Sequence, residues 1–224
     1  MHAPADTRDA INLQGLGAAR DARRYAACTS LLMMKRIICL YGPPCAGKST
    51  VGRALADISG FYLVHNHLTS DIISRHVPRN FPDGSENLTF RGLKHDLRLF
   101  LVDQLLSAGI DGIIFTFVFS LDRGLPFVER FLNTIRSHHA GVNFVRLRAT
   151  LEQILSEVEN PDRVGTEKLH TREALLRVAT ERQFLHAIPT IGPHLCYEAF
   201  SPQWHQHPKL LAEQIVNDIG LTKC

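Results

Sequence analysis

Three things are scarce in this 224-residue sequence: paired cysteines, long apolar runs and charge of one sign. The five cysteines are odd in number and include no Cys-x-x-Cys pair, which excludes a disulfide framework and fits a reducing compartment. The longest apolar run near the middle, Gly112 to Leu121, falls far short of the ~20 residues a spanning helix needs, so no membrane partner is expected. Tyr25 to Met34 resembles a short signal core, but Lys35 and Arg36 follow at once and no credible cleavage site precedes the region that carries the chemistry. A cytoplasmic location is the expectation. Lys and Arg number 25 against 22 Asp and Glu, and a balance of +3 over this length is no nucleic-acid footprint. What the chain does have is 45% hydrophobic and 21% charged residues, an ordinary globular composition that excludes general disorder and fibrous architecture.

Organisation emerges along the chain. Residues 1–33 are rich in Ala, Asp and Arg with weak periodicity and read as a disordered or dispensable extension. The pair Met33-Met34 stands just before the first convincing strand, Arg36 to Tyr41, so translation is expected to start there naturally. A Gly-rich turn follows, then a helix with Val51, Ala54, Leu55 and Ile58 on one face. Phe61 to His65 reads as a second strand, with Ser70 as the cap of a short helix ending near Pro78. Arg79 to Glu86 reads as a loop. Leu93, Leu97, Phe100, Leu101 and Leu105 repeat at helical spacing and predict a long helix that ends at Gly109. Gly112 to Phe119 is apolar on both alternating faces, as a central strand covered by helices must be. A helix at 127–137 leads to a fourth strand, Asn143 to Leu147. Thr150 and Gln153 form a capping-box pattern, residues 159–170 are a polar loop, and Thr171 to Gln183 is helical. A fifth strand at Leu195 to Ala199 and a last helix opened by Pro208 complete the chain. There is no internal repeat. Strands alternating with helices predict an α/β layered fold with a parallel sheet.

One motif carries chemistry. Gly42-Pro43-Pro44-Cys45-Ala46-Gly47-Lys48-Ser49 matches G-x-x-x-x-G-K-[ST], with a strand before it and a helix after it, and Thr50 follows. Such a loop turns its backbone N–H groups inward around an anion, and the helix N-terminus adds its positive dipole end. Lys48 is positioned to bridge the β- and γ-phosphates of a nucleotide, and the Ser49 hydroxyl to ligate Mg²⁺. Cys45 lies inside the loop, where a helix N-terminus favours a thiolate, although a small residue that simply fits is the plainer reading.

With these residues in hand, the chain from about Met34 onward resembles the P-loop small-molecule kinases, a group that includes shikimate and gluconate kinases, adenylate-kinase-like enzymes, chloramphenicol phosphotransferase and zeta-toxin kinases. The resemblance rests on GPPCAGKST, on the polar cluster VHNHLTSD at the end of the second strand, and on a basic loop after the fourth strand. It implies a three-layer α/β P-loop domain over 34–224, of the nucleoside-monophosphate-kinase type, with a five-stranded parallel sheet in the order 2-3-1-4-5. It also implies a short lid at about 157–172, bound ATP with Mg²⁺, and a small-molecule acceptor in a pocket opposite the phosphate loop. A monomer or homodimer is expected. In similar phosphotransferases an Asp near the end of the second strand contacts the acceptor hydroxyl and often acts as base. Here the best-matching position is His67, and His also accepts protons near neutral pH. Asp71 lies four residues later and either orients His67 or serves as the base itself. Asn66 is a candidate acceptor contact in the same cluster. A His65-x-His67 zinc site lacks an evident third ligand at suitable spacing.

Further candidates carry positive charge. The resemblance implies an Arg-bearing lid that closes over the transferring phosphate, with Arg163 the first candidate and Lys168 and Arg172 behind it. Arg91 and Arg98 lie seven residues apart, hence on nearly one helical face, as candidates for binding an anionic acceptor. The third strand departs from many P-loop enzymes. Phe115-Thr116-Phe117-Val118-Phe119-Ser120 offers no carboxylate to help hold Mg²⁺, which argues against a hydrolytic motor. The residues therefore predict an ATP-dependent kinase acting on a small-molecule hydroxyl. Nucleoside or nucleotide phosphorylation and a non-catalytic ATP-binding regulatory module are the alternatives, the latter disfavoured by the absence of an Asn/Thr-Lys-x-Asp guanine tetrapeptide. A chain started at Met34 is expected to bind ATP as the full chain does, which equilibrium titration with a fluorescent ATP analogue measures directly.

Overall fold

Runs of Ile, Val and Phe bounded by polar turns set the central strands, because branched and aromatic side chains pack well on a pleated surface buried on both faces. The computed structural model describes residues 35–83, 85–161 and 169–221. The extension expected at 1–33, and Arg163 and Lys168 of the expected lid, lie outside the described residues. The strands are β1 (Arg36–Tyr41), β2 (Tyr62–Val64), β3 (Gly112–Phe117), β4 (Gly141–Arg148) and β5 (Leu195–Glu198). They form one sheet in the order β2-β3-β1-β4-β5, every pairing parallel. The helices are α1 (Lys48–Ser59), α2 (Asn66–Ser74), α3 (Leu88–Ser107), α4 (Leu125–Ser137), α5 (Leu151–Glu157), α6 (Arg172–Glu181) and α7 (Pro208–Asp218). This is the three-layer α/β arrangement and the strand order that the resemblance implies.

Strand periodicity divides the core into two layers. Ile37, Cys39 and Tyr41 of β1 join Leu99, Val102 and Leu106 of α3 and Phe127, Phe131 and Ile135 of α4. Ile38 and Leu40 turn the other way, onto Val51 and Leu55 of α1 and Leu211, Ala212 and Ile215 of α7. Phe115 stacks on Phe131 at 4.8 Å between centroids, so most of the phenylalanines of β3 and α4 serve packing. A third, smaller cluster of Ile154, Leu155, Val158, Leu175 and Phe184 joins α5 to α6. Among the described residues no helix is long and apolar enough to cross a membrane.

Two local expectations are corrected. Ser70 does not cap a helix; it lies inside α2, which starts four residues earlier at Asn66. The start is fixed from outside, because the Asn66 amide donates to the Thr116 hydroxyl of β3 at 3.0 Å and the Asn66 carbonyl accepts from Arg98 Nη2 at 2.9 Å. The buried stripe of α3 is also different: Phe90, Arg98, Leu99, Val102 and Leu106 face inward, while Leu93 is 43% and Phe100 57% exposed. Apolar residues surround this helix at 97–106, so two stripes overlap and periodicity alone does not choose between them. The hydrogen bonds of Arg98 to α2 fix the rotation.

Helix ends follow their local chemistry. The Thr150–Gln153 capping box forms at the start of α5. Asn87, not anticipated from sequence, caps α3: its Oδ1 accepts the amides of Thr89 (3.0 Å) and Phe90 (3.4 Å), and its Nδ2 donates to the Pro78 carbonyl at 2.9 Å. It is buried, so its partners would be left unsatisfied in its absence. Asn87→Ala is expected to lower stability by about 1–2 kcal/mol in denaturant unfolding, with the slope of the transition unchanged.

Candidate active site

β1 ends at Tyr41 in the centre of the sheet, and the chain must turn into α1 within six residues. Gly42 makes this possible: it has φ +154°, and a Cβ there would lie 2.2 Å from the Leu147 carbonyl oxygen of the neighbouring strand. Gly47 at φ +71° is the N-cap of α1, and Cys45 adopts φ +63°, a left-handed conformation uncommon for a side-chain-bearing residue and typical of constrained functional turns. Lys48 is buried and folds back over the loop, with Nζ donating to the carbonyls of Gly42 (3.0 Å) and Pro43 (2.5 Å). The turn is therefore an anion cradle with its cation in place.

The cradle opens onto a cavity of about 990 Å³. Pro44, Cys45, Ala46, Gly47, Lys48, Ser49 and Thr50 line one end, while Gly42 and Pro43 are buried behind them. Next to this end the start of α2 contributes His65, Asn66, His67 and Ser70, the two imidazoles 6.5 Å apart between centroids. Asp71 lies one helical turn beyond His67 and is not among the residues that line the cavity. β3 and the loop after it add Thr116, Phe117, Val118, Ser120 and Arg123. Glu157, Asn160 and Leu169, which flank the undescribed part of the expected lid, also line it.

The far wall is α3. Phe90, Arg91, Lys94, His95 and Arg98 present one continuous face to the cavity, joined by Arg79, Glu86 and, beyond α6, Arg182. These side chains do different things. Arg98 is buried and held: Nε donates to Thr69 Oγ1 at 3.1 Å, and Nη2 to the Asn66 carbonyl at 2.9 Å and Ser70 Oγ at 3.4 Å. It braces the turn of α2 that carries His67. Burial pushes its pKa down to about 9, which leaves it protonated at neutral pH. Glu86 gathers three guanidiniums from separate elements, with Oε2 accepting from Arg91 (2.9 Å) and Arg123 and Oε1 from Arg182 (3.3 Å). Burial, with Lys94 and three arginines beside it, pushes His95 down to about 3, so it is a neutral imidazole in the physiological range. Burial first, then Arg98, Arg182 and Arg79, pushes Lys94 down to about 7 against only the opposing pull of Glu86.

The sequence candidates are thus brought together except for four, one of them Arg172, which is not in the lining and donates to the Leu155 carbonyl at 3.0 Å. Asp71 stands outside the cavity lining, and Arg163 and Lys168 fall outside the described residues. Sequence reasoning missed Lys94 and His95, although Arg91, Lys94 and Arg98 follow helical i, i+3, i+7 spacing and that signal was available. Arg79, Glu86, Arg123 and Arg182 come from loops and carried no local signal. Among the described residues no group of three His, Cys, Asp or Glu side chains could hold a metal ion. Ser49 lines the phosphate end and fits the one-hydroxyl contribution that Mg²⁺ takes when nucleotide oxygens and waters supply the rest.

Sheet order and the strand–loop–helix unit that opens the fold define a three-layer α/β domain with a five-stranded parallel sheet. Solved structures agree on the fold. A "putative kinase" from Chloroflexus aurantiacus J-10-fl superposes with a TM-score of 0.63 at 16% identity, covering 82% of this chain and 98% of that one. A sugar kinase from Janibacter sp. HTCC2649 gives 0.53 at 15% identity, covering 84% and 95%. A gluconokinase from Sinorhizobium meliloti 1021 gives 0.51 at 16% identity, covering 84% and 97%. No family model matches the chain, and no curated protein matches it in sequence. At these identities the likeness extends to the fold. Arg98→Met is expected to lower stability by about 2–4 kcal/mol, because it removes three hydrogen bonds to α2, two of them to buried residues, whereas Arg91→Met, which breaks a partly exposed pair with Glu86, costs less than about 1 kcal/mol. Paired denaturant curves measure the difference.

Proposed function

We propose that the protein is an ATP-dependent phosphotransferase that moves the γ-phosphoryl group of ATP to a hydroxyl of a small-molecule acceptor. The observation that carries this reading is one cavity lined together by the Gly-rich loop, by His67 and by the cationic side chains of α3. In that reading ATP lies with its phosphates on Gly42 to Thr50, and Lys48 leaves the Gly42 and Pro43 carbonyls to meet the β- and γ-phosphates. Ser49 holds Mg²⁺, which when bound neutralises charge on the phosphates. The acceptor occupies the space between the cradle and α3, touching Asn66 and the arginines of the far wall, Arg91 and Arg98.

The step balances simply. The acceptor oxygen forms a bond to Pγ as the bond from Pγ to the β–γ bridging oxygen breaks, ADP leaves, and the hydroxyl proton passes to a base. His67 is favoured as that base because it lines the cavity; Asp71, one turn behind, suits an orienting role. Catalysis in this chemistry rests on positioning and electrostatics, so the base contributes less than the phosphate clamp. Arg163 is proposed as the lid cation that meets the transferring group. The location proposed with this activity is the cytoplasm, where ATP is supplied.

The decisive experiment is ATP consumption across a panel of sugars, hydroxy acids, nucleosides and antibiotics. Lys48→Ala should remove turnover with any acceptor while leaving the circular dichroism unchanged, and undiminished activity would end the proposal. His67→Ala should lower kcat by about 10²–10⁴-fold with the ATP KM nearly constant. A larger loss in Asp71→Asn than in His67→Ala would reverse their roles.

A further inference from the structure

Two cationic donors in the far wall lack what their neighbours have. Lys94 makes no hydrogen bond or ion pair among the described residues; its ammonium lies 5.7 Å from the centroid of the Phe90 ring, with the Arg79 guanidinium at 5.6 Å from the same centroid. Arg182 reaches Glu86 through Nη2, but its Nε is buried and has no hydrogen-bond partner. A buried cationic donor without a partner is costly, and the partly exposed Lys94 lines the same cavity as Arg182, so one anion there would satisfy both. Glu86, the carboxylate at this end of the wall, is already shared by three arginines.

We propose that Lys94 and Arg182 form an anion subsite for a phosphate monoester group on the acceptor, remote from the hydroxyl that is phosphorylated. The inference rests on the functional reading above and narrows it to acceptors that already carry a phosphate. Phosphate fits better than carboxylate. The two donors come from separate elements, α3 and the turn after α6, and a tetrahedral dianion offers oxygens in both directions. Its second charge also meets a lining in which Arg79, Arg91, Lys94, Arg98, Arg123 and Arg182 outnumber the carboxylates Glu86, Glu157 and Glu181.

The subsite is proton-linked. Lys94 is faced by Arg98 and His95 of its own helix, by Arg79 and Glu86 from the segment before α3, and by Arg182 from beyond α6. Burial, then the cations of this set, push Lys94 down to about 7, and a bound dianion must raise it. Affinity is therefore full below pH 7 with respect to Lys94 and falls as pH rises above it, and binding near pH 7.5 takes up a proton.

The test is calorimetric titration of the full chain at pH 7.5, with the cradle filled by Mg-ADP so that added phosphate cannot bind there. The probes are glycerol phosphate, its carboxylate counterpart glycerate, and glycerol. Glycerol phosphate is expected to bind at least about tenfold more tightly than glycerate, glycerol should not bind measurably, and Lys94→Met and Arg182→Gln should each weaken glycerol phosphate about tenfold or more. Buffers of different ionisation enthalpy should reveal proton uptake of about half a proton or more in the wild type that Lys94→Met lacks. Equal binding of glycerate, no binding of glycerol phosphate, or unchanged affinity in Lys94→Met would overturn the subsite. The wild-type comparison decides even if a variant fails to fold. Binding without turnover on any acceptor would sink the kinase reading and leave the subsite standing; turnover on unphosphorylated acceptors alone would do the reverse.

Discussion

Parallel pairing of β1 with β3 on one side and β4 on the other is the constraint on which the site depends. It brings the carboxyl ends of three strands to one edge of the sheet, in register from Arg36 opposite Gly112 and Gly141 to Tyr41 opposite Phe117 and Arg146. The chain leaving β1 is then forced into the narrow space above its neighbours. Gly42 comes so close to the Leu147 carbonyl that no side chain fits, and the loop that results lines the cavity from Pro44 to Thr50. The segment after β2 reaches the same edge, anchored by the Thr116 hydroxyl one residue before the end of β3. Ligands in open α/β sheets bind at this edge because the strand ends and helix starts meet there.

Legibility in the sequence tracks how local the cause is. The phosphate loop was legible because its glycines, its Lys48 and its flanking strand and helix are contiguous. The strand positions were legible because two-sided burial leaves unbroken runs such as Ile113, Ile114 and Phe115. The rotation of α3 was not, since its apolar residues form two overlapping stripes and a polar side chain, Arg98, selects between them from inside the core. The same reason hid the start of α2. Its first amide and first carbonyl find partners 50 and 32 residues away in sequence, and Ser70 looks like a cap only if those partners are ignored.

Charge in the far wall is arranged in tiers rather than spread evenly. Arg98 is the most buried of the wall's cations and is bonded to groups of α2. Arg91, Arg123 and Arg182 form a middle tier that Glu86 holds together across three elements that sequence separates by as many as 96 residues. Lys94 stands between the tiers and feels both. A carboxylate placed where Glu86 sits offsets the mutual repulsion of three guanidiniums, and its pull on Lys94 is outweighed by burial and the neighbouring arginines. The surplus of positive charge is thus concentrated where the cavity is open to a solute, which favours attraction of anions over nonspecific surface binding.

Thr116 connects this electrostatic design to the missing carboxylate. Many P-loop enzymes end the equivalent strand in an acid that helps to hold metal. Here the strand's polar side chain is a hydroxyl, and that hydroxyl accepts a backbone amide from α2. An Asp in its place would set a negative charge close to Asn66 and His67, raise the proton affinity of the imidazole and offset the cations of α3. With a neutral hydroxyl instead, the start of α2 is held by an uncharged bond on one side and by Arg98 on the other, and the local field stays positive. Under the proposed function, metal would then be held by Ser49 and the nucleotide's own oxygens, and positioning of the acceptor would matter more than activation of water.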